Sequence, residues 1–233
     1  HAVGLNSGTD ALILSLRALG VGSGDEVITA ANTFLATVIA IAAVGARPVL
    51  VEPDERTLSL DVERTAAALT PRTRAILPVH LHGLPCAMAE LLPLCTARGI
   101  VVLEDAAQAH GARCGDLGRV GALGEAGAFS FHPSKNLGAF GDGGAVTTDD
   151  DDLADRLRLL RNLGKSGKYE ARTLGVNSKL DTLQAVVLEH KLPHLDSWNT
   201  RRRALAAHYH AGLAGLAGRD GLRLPDDGDG RHV

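Results

Sequence analysis

The chain has 233 residues, 45% of them hydrophobic and 22% charged, a balance typical of a globular protein with a full hydrophobic core. Its 24 basic and 27 acidic residues leave a net charge of −3, which argues against a nucleic-acid partner because no overall positive field attracts a phosphate backbone. The apolar runs are shorter than the roughly 20 residues of a membrane-spanning helix, so we expect a cytoplasmic protein with no membrane partner.

The first hundred residues alternate short β-branched segments with segments of helical periodicity. This alternation predicts an α/β protein with a mostly parallel sheet. Helices are predicted at residues 9–19, 33–44, 62–69 and 87–97, and strands at residues 26–29, 48–51, 75–79 and 100–103.

The second half of the chain departs from this alternation. Strands are predicted at residues 128–131 and 145–148, and we expect them to pair antiparallel because a glycine-rich loop and no helix separates them. Helices are predicted at residues 150–163 and 180–216, the second interrupted near Pro193.

The two ends of the chain bear on its domain organisation. It begins at His1, close to a polar loop, and ends after a charged, glycine-rich run. We therefore expect a large domain at residues 1–216, and at residues 217–233 a linker or the start of a small C-terminal domain that is missing or truncated.

Three motifs that imitate known binding sites are rejected. The glycine-rich residues 20–24 follow a helix, whereas a dinucleotide-binding loop follows a strand. Residues 164–166 imitate the end of a P-loop, but Leu159 stands where its first glycine is required. His80 and His82 lack further ligands at metal-binding spacing, which favours ordinary core histidines, with a substrate-side role as the alternative.

The three cysteines have no Cys-x-x-Cys spacing and are interpreted as reduced thiols.

Four polar segments could each be an ordinary turn or helix cap, but together they suit one ligand. Residues 6–10 open a helix whose free N–H groups suit a phosphate. Residues 102–110 contain Asp105 at the end of a buried strand, where α/β sheets bind ligands. Residues 130–138 place Lys135 in a loop of small residues, where a desolvated lysine loses its proton readily. Residues 175–185 form a polar turn into the long helix.

A phosphate cradle, a strand-end carboxylate and a buried lysine are what pyridoxal phosphate (PLP) requires. The lysine holds the PLP aldehyde as a Schiff base, the acid keeps the pyridine nitrogen protonated, and the helix N-terminus binds the phosphate. The sequence therefore predicts a PLP enzyme with Lys135 and Asp105 as catalytic residues and with no metal.

Five motifs, in order, resemble those of the DegT/DnrJ-type nucleotide-sugar aminotransferases, which are PLP enzymes of fold type I. They are SGTDAL at residues 7–12, EDAAQ at 104–108, SFHPSKNLG at 130–138, GDGGA at 141–145 and VNSKLDTLQ at 176–184. The resemblance implies a three-layer αβα domain with a mostly parallel mixed sheet, and a homodimer with active sites at the interface. The chain departs from the family at residues 83–85, where Gln more often precedes the proline, and at Lys179, where Arg is common.

The resemblance also implies which residues contact the cofactor ring. Lys135 would bind the aldehyde and later move the proton between the substrate carbon and the cofactor, and Asp105 would pair with the pyridine nitrogen. Gln108 would hydrogen-bond the 3-oxygen of the ring. Phe34 would stack on the ring, with core packing as the alternative.

The remaining implied contacts are with the phosphate. Gly8, Thr9 and Ser130 would hold it within their own subunit. Asn177 would reach the phosphate of the neighbouring subunit.

The implied function is transfer of an amino group, from glutamate, to a keto carbon of a nucleotide-linked deoxysugar, as in the amino-sugar steps of antibiotic biosynthesis. The motifs favour a 3-keto slightly over a 4-keto acceptor, and Lys135 favours amino transfer because relatives with histidine there act as dehydratases. One alternative is an aminotransferase acting on a carbocyclic ketone, such as an inosose or an aminobenzoate precursor. Another is a non-catalytic regulatory descendant of the fold.

Overall fold

The computed structural model describes residues 1–218, 222–225 and 232–233. Its central element is a seven-stranded sheet. The strands are β1 (Ala2–Leu5), β2 (Glu26–Ala30), β3 (Arg47–Val51), β4 (Thr73–Ile76), β5 (Val101–Asp105), β6 (Ala126–Ser130) and β7 (Gly144–Thr147). The helices are α1 (Gly8–Ala18), α2 (Leu35–Ala43), α3 (Val62–Ala67), α4 (Met88–Thr96), α5 (Asp151–Leu160), α6 (Thr182–Lys191) and α7 (Leu195–Leu213). None of the helices in these described ranges is long and apolar enough to span a membrane.

The strand order is β1-β7-β6-β5-β4-β2-β3. All neighbours from β6 to β3 are parallel, whereas β7 runs antiparallel to both β1 and β6. The mostly parallel mixed sheet and the antiparallel pairing of the two late strands are thus confirmed. Because parallel strands end at a common edge, β5 and β6 bring Asp105 and Ser130 to the same side of the molecule.

Both faces of the sheet are covered, which accounts for the three layers. Successive residues of β2, Val27 and Ile28, belong to different buried clusters because side chains alternate across a strand. One cluster includes buried residues of α1, α2 and α5, and the other includes buried residues of α4. The three cysteines are free and buried, as expected for reduced thiols.

The predicted boundaries differ from the structure at several places. The helix predicted from residue 33 begins at Leu35, and the strand predicted at residues 75–79 is Thr73–Ile76. The predicted helix 180–216 begins at Thr182 and is interrupted, as expected, at the 3₁₀ turn Leu192–His194 that contains Pro193. The sequence did not predict β1, because a four-residue strand carries too little alternation to recognise.

Strand β3 lies at one edge of the sheet, and its pairing is one-sided. The backbone N–H of Arg47 donates to the carbonyl of Asp25, the residue just before β2. Backbone donors alternate in direction along a strand, so Pro48, the next residue, stands where an N–H group would face away from the sheet.

Candidate active site

A cavity of about 410 Å³ lies at the carboxyl ends of β5 and β6. It is bounded by the N-termini of α1 and α2 and by the loop between β6 and β7. Seven of the eight predicted site residues line it, namely Gly8, Thr9, Phe34, Asp105, Gln108, Ser130 and Lys135. The structure therefore brings together residues that are up to 127 positions apart in the sequence (135 minus 8).

Asp105 is the last residue of β5 and is only 5% exposed. Its Oδ2 accepts a hydrogen bond from the Thr37 hydroxyl at 2.9 Å, and its Oδ1 accepts one from the Ala107 N–H at 3.1 Å. Burial raises the pKa of Asp105, and the hydrogen bonds of Ala107 and Thr37 together with the positive charge of Lys135 only partly oppose that rise. A buried carboxylate in this state is suited to a cationic partner such as a protonated ring nitrogen.

Lys135 lies in the loop between β6 and β7, as predicted, and is half-buried. Its backbone N–H donates to the His132 carbonyl at 2.9 Å, which folds the loop into a tight turn below the lysine. Lys135 and Asp105 face the same cavity from neighbouring segments of the sheet edge. This arrangement lets a ring held by the carboxylate lie near the amine.

Gln108 has an amide whose orientation is fixed by the backbone. Its Oε1 accepts a hydrogen bond from the N–H of His82 at 2.7 Å, so its NH₂ group must be the end that is available to other partners. His82 adopts a left-handed backbone conformation, with φ of 55°, to present this N–H. The free amide donors of Gln108 suit an acceptor such as a ring oxygen.

Phe34 precedes α2 at the edge of the cavity. The residue is 67% exposed, so the alternative of core packing for Phe34 is wrong. An exposed aromatic side chain beside a polar cavity is suited to stacking on a ligand ring.

One end of the cavity is formed where α1 begins. Ser7 caps this helix, and its hydroxyl accepts a hydrogen bond from Asp10 N–H at 3.1 Å. Gly8 and Thr9 are the first helical residues, so their N–H groups have no intrahelical acceptor. A Cβ atom at Gly8 would lie 2.6 Å from the Cβ of Ser130, so only glycine allows this close approach of α1 to β6. These donors make a cradle that fits a phosphate.

Asn177 does not line this cavity. It is exposed, and its side-chain oxygen accepts a hydrogen bond from the Lys179 ammonium. Its predicted contact with a neighbouring subunit stays a prediction.

Glu104 is a buried residue of the site region to which the sequence analysis gave no role. One carboxylate oxygen, Oε2, is hydrogen-bonded to His80 Nε2 at 3.0 Å and accepts a second hydrogen bond from Gly121 N–H at 2.8 Å. The other oxygen, Oε1, accepts hydrogen bonds from the N–H groups of Leu123 and Gly124. Burial alone would raise the pKa of Glu104, but the hydrogen bonds from His80 and from the backbone outweigh it and hold the pKa below its usual value. The sequence did contain one signal for the different surroundings of Glu104. Side chains alternate across a strand, so in β5 the side chain of Glu104 must point away from that of Asp105.

His80 is accordingly a core histidine, as the sequence analysis favoured, whereas His82 is exposed and the same interpretation is wrong for it. Its Nδ1 accepts a hydrogen bond from Cys86 N–H at 3.1 Å, which leaves the ring proton on Nε2 to be donated to Glu104. The pair anchors residues 80–86, from which the His82 N–H reaches Gln108.

Comparisons with known proteins identify relatives that match nearly the whole chain. A relative from Streptomyces venezuelae, a dTDP-3-amino-3,4,6-trideoxy-alpha-D-glucose transaminase, is 57% identical over 218 residues, which are 94% of this chain and 57% of that protein. A relative from Acidithiobacillus ferrooxidans, a UDP-N-acetyl-3-dehydro-alpha-D-glucosamine 3-aminotransferase, is 50% identical over 232 residues, which are 100% of this chain and 62% of that protein. The chain thus spans about three fifths of the length of these relatives.

Two solved structures share the fold. The crystal structure of S. venezuelae DesV in complex with a ketimine intermediate has a TM-score of 0.90 and 57% identity, covering 94% of this chain and 58% of that one. NtdA from Bacillus subtilis with bound cofactor PMP has a TM-score of 0.92 and 34% identity, covering 100% of this chain and 53% of that one.

The sequence model of one aminotransferase family extends over the whole chain. It matches residues 1–233, which include the cavity and every motif described above. The chain belongs to the DegT/DnrJ/EryC1/StrS aminotransferase family.

Proposed function

We propose that the full-length protein is a PLP-dependent transaminase that transfers an amino group, from glutamate, to the 3-keto carbon of a nucleotide-linked deoxysugar. The observation that carries the proposal is the single cavity in which Lys135, Asp105 and the N-terminus of α1 meet. The names of the two relatives described above support the choice of a 3-keto acceptor.

The residues of the cavity fit PLP at each end. Asp105 supplies a buried carboxylate for the ring nitrogen, and the cradle at Gly8 is too close to Ser130 for any side chain and leaves N–H groups free for the phosphate. When bound, PLP supplies an aldehyde that amines can join and a ring that withdraws electrons from the attached carbon.

The chain's own residues then have separate tasks. Asp105 would keep a proton on the ring nitrogen, because burial favours pairing of its charge with a cation. The Lys135 amine would bind the cofactor at rest and, when released, remove a proton from one carbon and return it to another. Gln108 would donate its NH₂ to the 3-oxygen, and Phe34 would cover one face of the ring.

The proposed assembly is a cytoplasmic homodimer with one active site at each side of the interface. Residues 1–216 would be the PLP-binding domain, and residues 217–233 would lead into a small C-terminal domain or linker. Asn177, exposed and outside its own cavity, would complete the phosphate site of the partner.

The test uses the complete protein in its pyridoxamine phosphate form. We expect the visible absorbance band of lysine-bound PLP to return on addition of a nucleotide-linked 3-ketosugar, more slowly with a 4-ketosugar, and not with an inosose. Return of the band with the inosose alone would favour the carbocyclic alternative.

The same experiment addresses a non-catalytic role. The Lys135→Ala variant should lack the visible band and should yield no PLP-labelled peptide after borohydride reduction. A wild-type protein without any such band, at saturating PLP, would contradict the proposal and favour a regulatory function.

A further inference from the structure

Asn136, the residue after Lys135, is joined to His110 by two hydrogen bonds. Its Nδ2 donates to the His110 carbonyl at 2.9 Å, and its Oδ1 lies 2.7 Å from His110 Nδ1. The first bond orients the amide, so Oδ1 must accept and Nδ1 of His110 must carry the ring proton. Asparagine meets both requirements because its side chain has a donor and an acceptor side by side.

His110 belongs to the segment that supplies Asp105 and Gln108 to the cavity lining. It follows Asp105 and Gln108 in one continuous stretch after β5. The Asn136–His110 pair therefore connects the segment that contains Lys135 to the segment that contains Asp105, through side chains that lie outside the cavity lining.

The surroundings of this pair are buried and closely packed. His110 is 3% exposed, and its ring packs against Phe129 and Phe131, with ring centroids 5.2 Å and 5.7 Å away. Asn199 of α7 is also buried, and its Nδ2 donates to the His110 carbonyl at 2.9 Å. Burial lowers the pKa of His110 to about 4, so the ring stays neutral and the hydrogen-bond pattern is the same at every pH near neutrality.

We propose that His110 and Asn136 are positioning residues that fix the Lys135 amine relative to the Asp105 carboxylate, so that a ring held by Asp105 presents its aldehyde within reach of the amine. This inference rests on the proposed function, because it concerns PLP as the ligand of the cavity. Neither residue contacts the cofactor in this role. Their effect is on how often the amine occupies a reactive position.

The test measures how fast the complete apoprotein binds PLP covalently, from the growth of the visible band, with borohydride reduction and peptide mapping to locate the labelled lysine. His110→Phe keeps an aromatic ring between Phe129 and Phe131 but removes the Nδ1 donor. Asn136→Leu keeps the number of side-chain heavy atoms but removes the two hydrogen bonds to His110 and the one from Nδ2 to Asn199 Oδ1. Asn136→Ala, measured beside it, separates that loss from any clash of the larger leucine. Rates are normalised to the folded fraction from circular dichroism.

A control variant separates positioning from loss of stability. Thr65 is buried in α3, away from the cavity, and its hydroxyl donates to the Asp61 carbonyl at 2.6 Å. Thr65→Val removes one buried hydrogen bond at constant shape, so it should weaken the fold to a similar degree while leaving the rate of PLP capture unchanged.

We expect each single variant at His110 or Asn136 to slow capture about tenfold, and the His110→Phe/Asn136→Leu double variant to be no slower than Asn136→Leu alone, because the bond that His110→Phe removes is one of those that Asn136→Leu removes. The inference would be overturned if the His110 and Asn136 variants captured PLP as fast as the wild type, or were slowed no more than Thr65→Val. It would also be overturned if the slowing in the double variant were the product of the slowing in the two single variants. Failure of the wild-type protein to label Lys135 would instead overturn the proposed function on which it rests.

Discussion

The charged form of the Asp105 carboxyl group is disfavoured by its burial in the folded protein. Its folded-state pKa is raised above the unfolded value of 3.8, so the proton-bound form is stabilised at low pH and this stability is lost as pH rises through the folded pKa. Above the folded pKa the ionised group therefore opposes folding until a cation pairs with it.

The Asp105→Asn variant should separate stability from cofactor binding. An amide can accept from Ala107 N–H and donate to the Thr37 hydroxyl, which can in turn donate to Thr33, so no polar atom need be left unpaired. We expect the apoprotein to become more stable by about 1 kcal/mol in urea unfolding at neutral pH, and to lose PLP faster on dialysis. Asp116→Asn, at an exposed position, is the control. A less stable apoprotein with unchanged PLP retention would contradict this account.

His110 should make the stability of the protein depend on pH. Its pKa is lowered from 6.5 to about 4 by burial, so between these values the unfolded chain binds a proton that the folded protein does not. The free energy of unfolding should therefore fall as pH is lowered through this window, by about 3 kcal/mol in total. In His110→Phe that component should vanish, which urea unfolding at several pH values can measure. Parallel pH profiles of wild type and variant would refute this assignment, and Thr65→Val should follow the wild type.

The residues that the sequence could indicate are those that belong to a local motif. Lys135 and Asp105 were recognisable because each follows an apolar strand with small neighbours. The contact of Asn136 with His110, by contrast, joins positions 26 apart in the sequence, and Asn199 lies 63 positions beyond Asn136. No local pattern specifies which distant amide a side chain will meet, so only the folded chain reveals this pair.

Among the elements, α1 has its N-terminus against the end of β6, where the proposed phosphate cradle lies. Gly8→Ala would place a methyl group 2.6 Å from the Ser130 side chain and 3.1 Å from its Cα, forcing the helix away from the strand. We expect PLP affinity to fall at least about tenfold, since phosphate contacts depend on that distance. Gly22→Ala is a suitable control because its new Cβ would be 3.7 Å from its nearest neighbour. Equilibrium titration of PLP provides the measurement, and equal affinities of the two variants would count against the cradle.

The elements themselves were predicted best where periodicity was long and helix caps were present. Asp61 and Asp150 each cap a helix through a side-chain hydrogen bond, and the predicted starts of α3 and α5 lie at or next to the observed ones. The predicted strand at residues 75–79 extended too far, because β4 gives way after Ile76 to a segment in which only Val79 forms an isolated bridge. The residues after Ile76 are still mostly apolar, which led to the longer prediction, but they do not continue the regular strand pairing of β4.

At the scale of the whole molecule, the proposed homodimer makes a prediction about shared sites. If Asn177 serves the partner's phosphate, Lys135→Ala and Asn177→Ala subunits are each defective alone, but a mixed dimer contains one complete site. Random mixing of equal amounts should then restore about a quarter of the wild-type activity per subunit. Subunits are exchanged in mild denaturant and assayed after refolding. Activity no greater than the sum of the two separate variants would show that Asn177 does not act across an interface.

The proline in edge strand β3 has a consequence for how molecules meet one another. An exposed strand edge offers hydrogen-bonding groups to which a strand from another molecule can add, and such addition is a route to fibrous aggregates. Pro48 removes an outward-facing donor near the start of that edge, and Arg47 beside it adds an exposed positive charge. The sheet therefore ends at β3 and resists uncontrolled growth through intermolecular strand pairing.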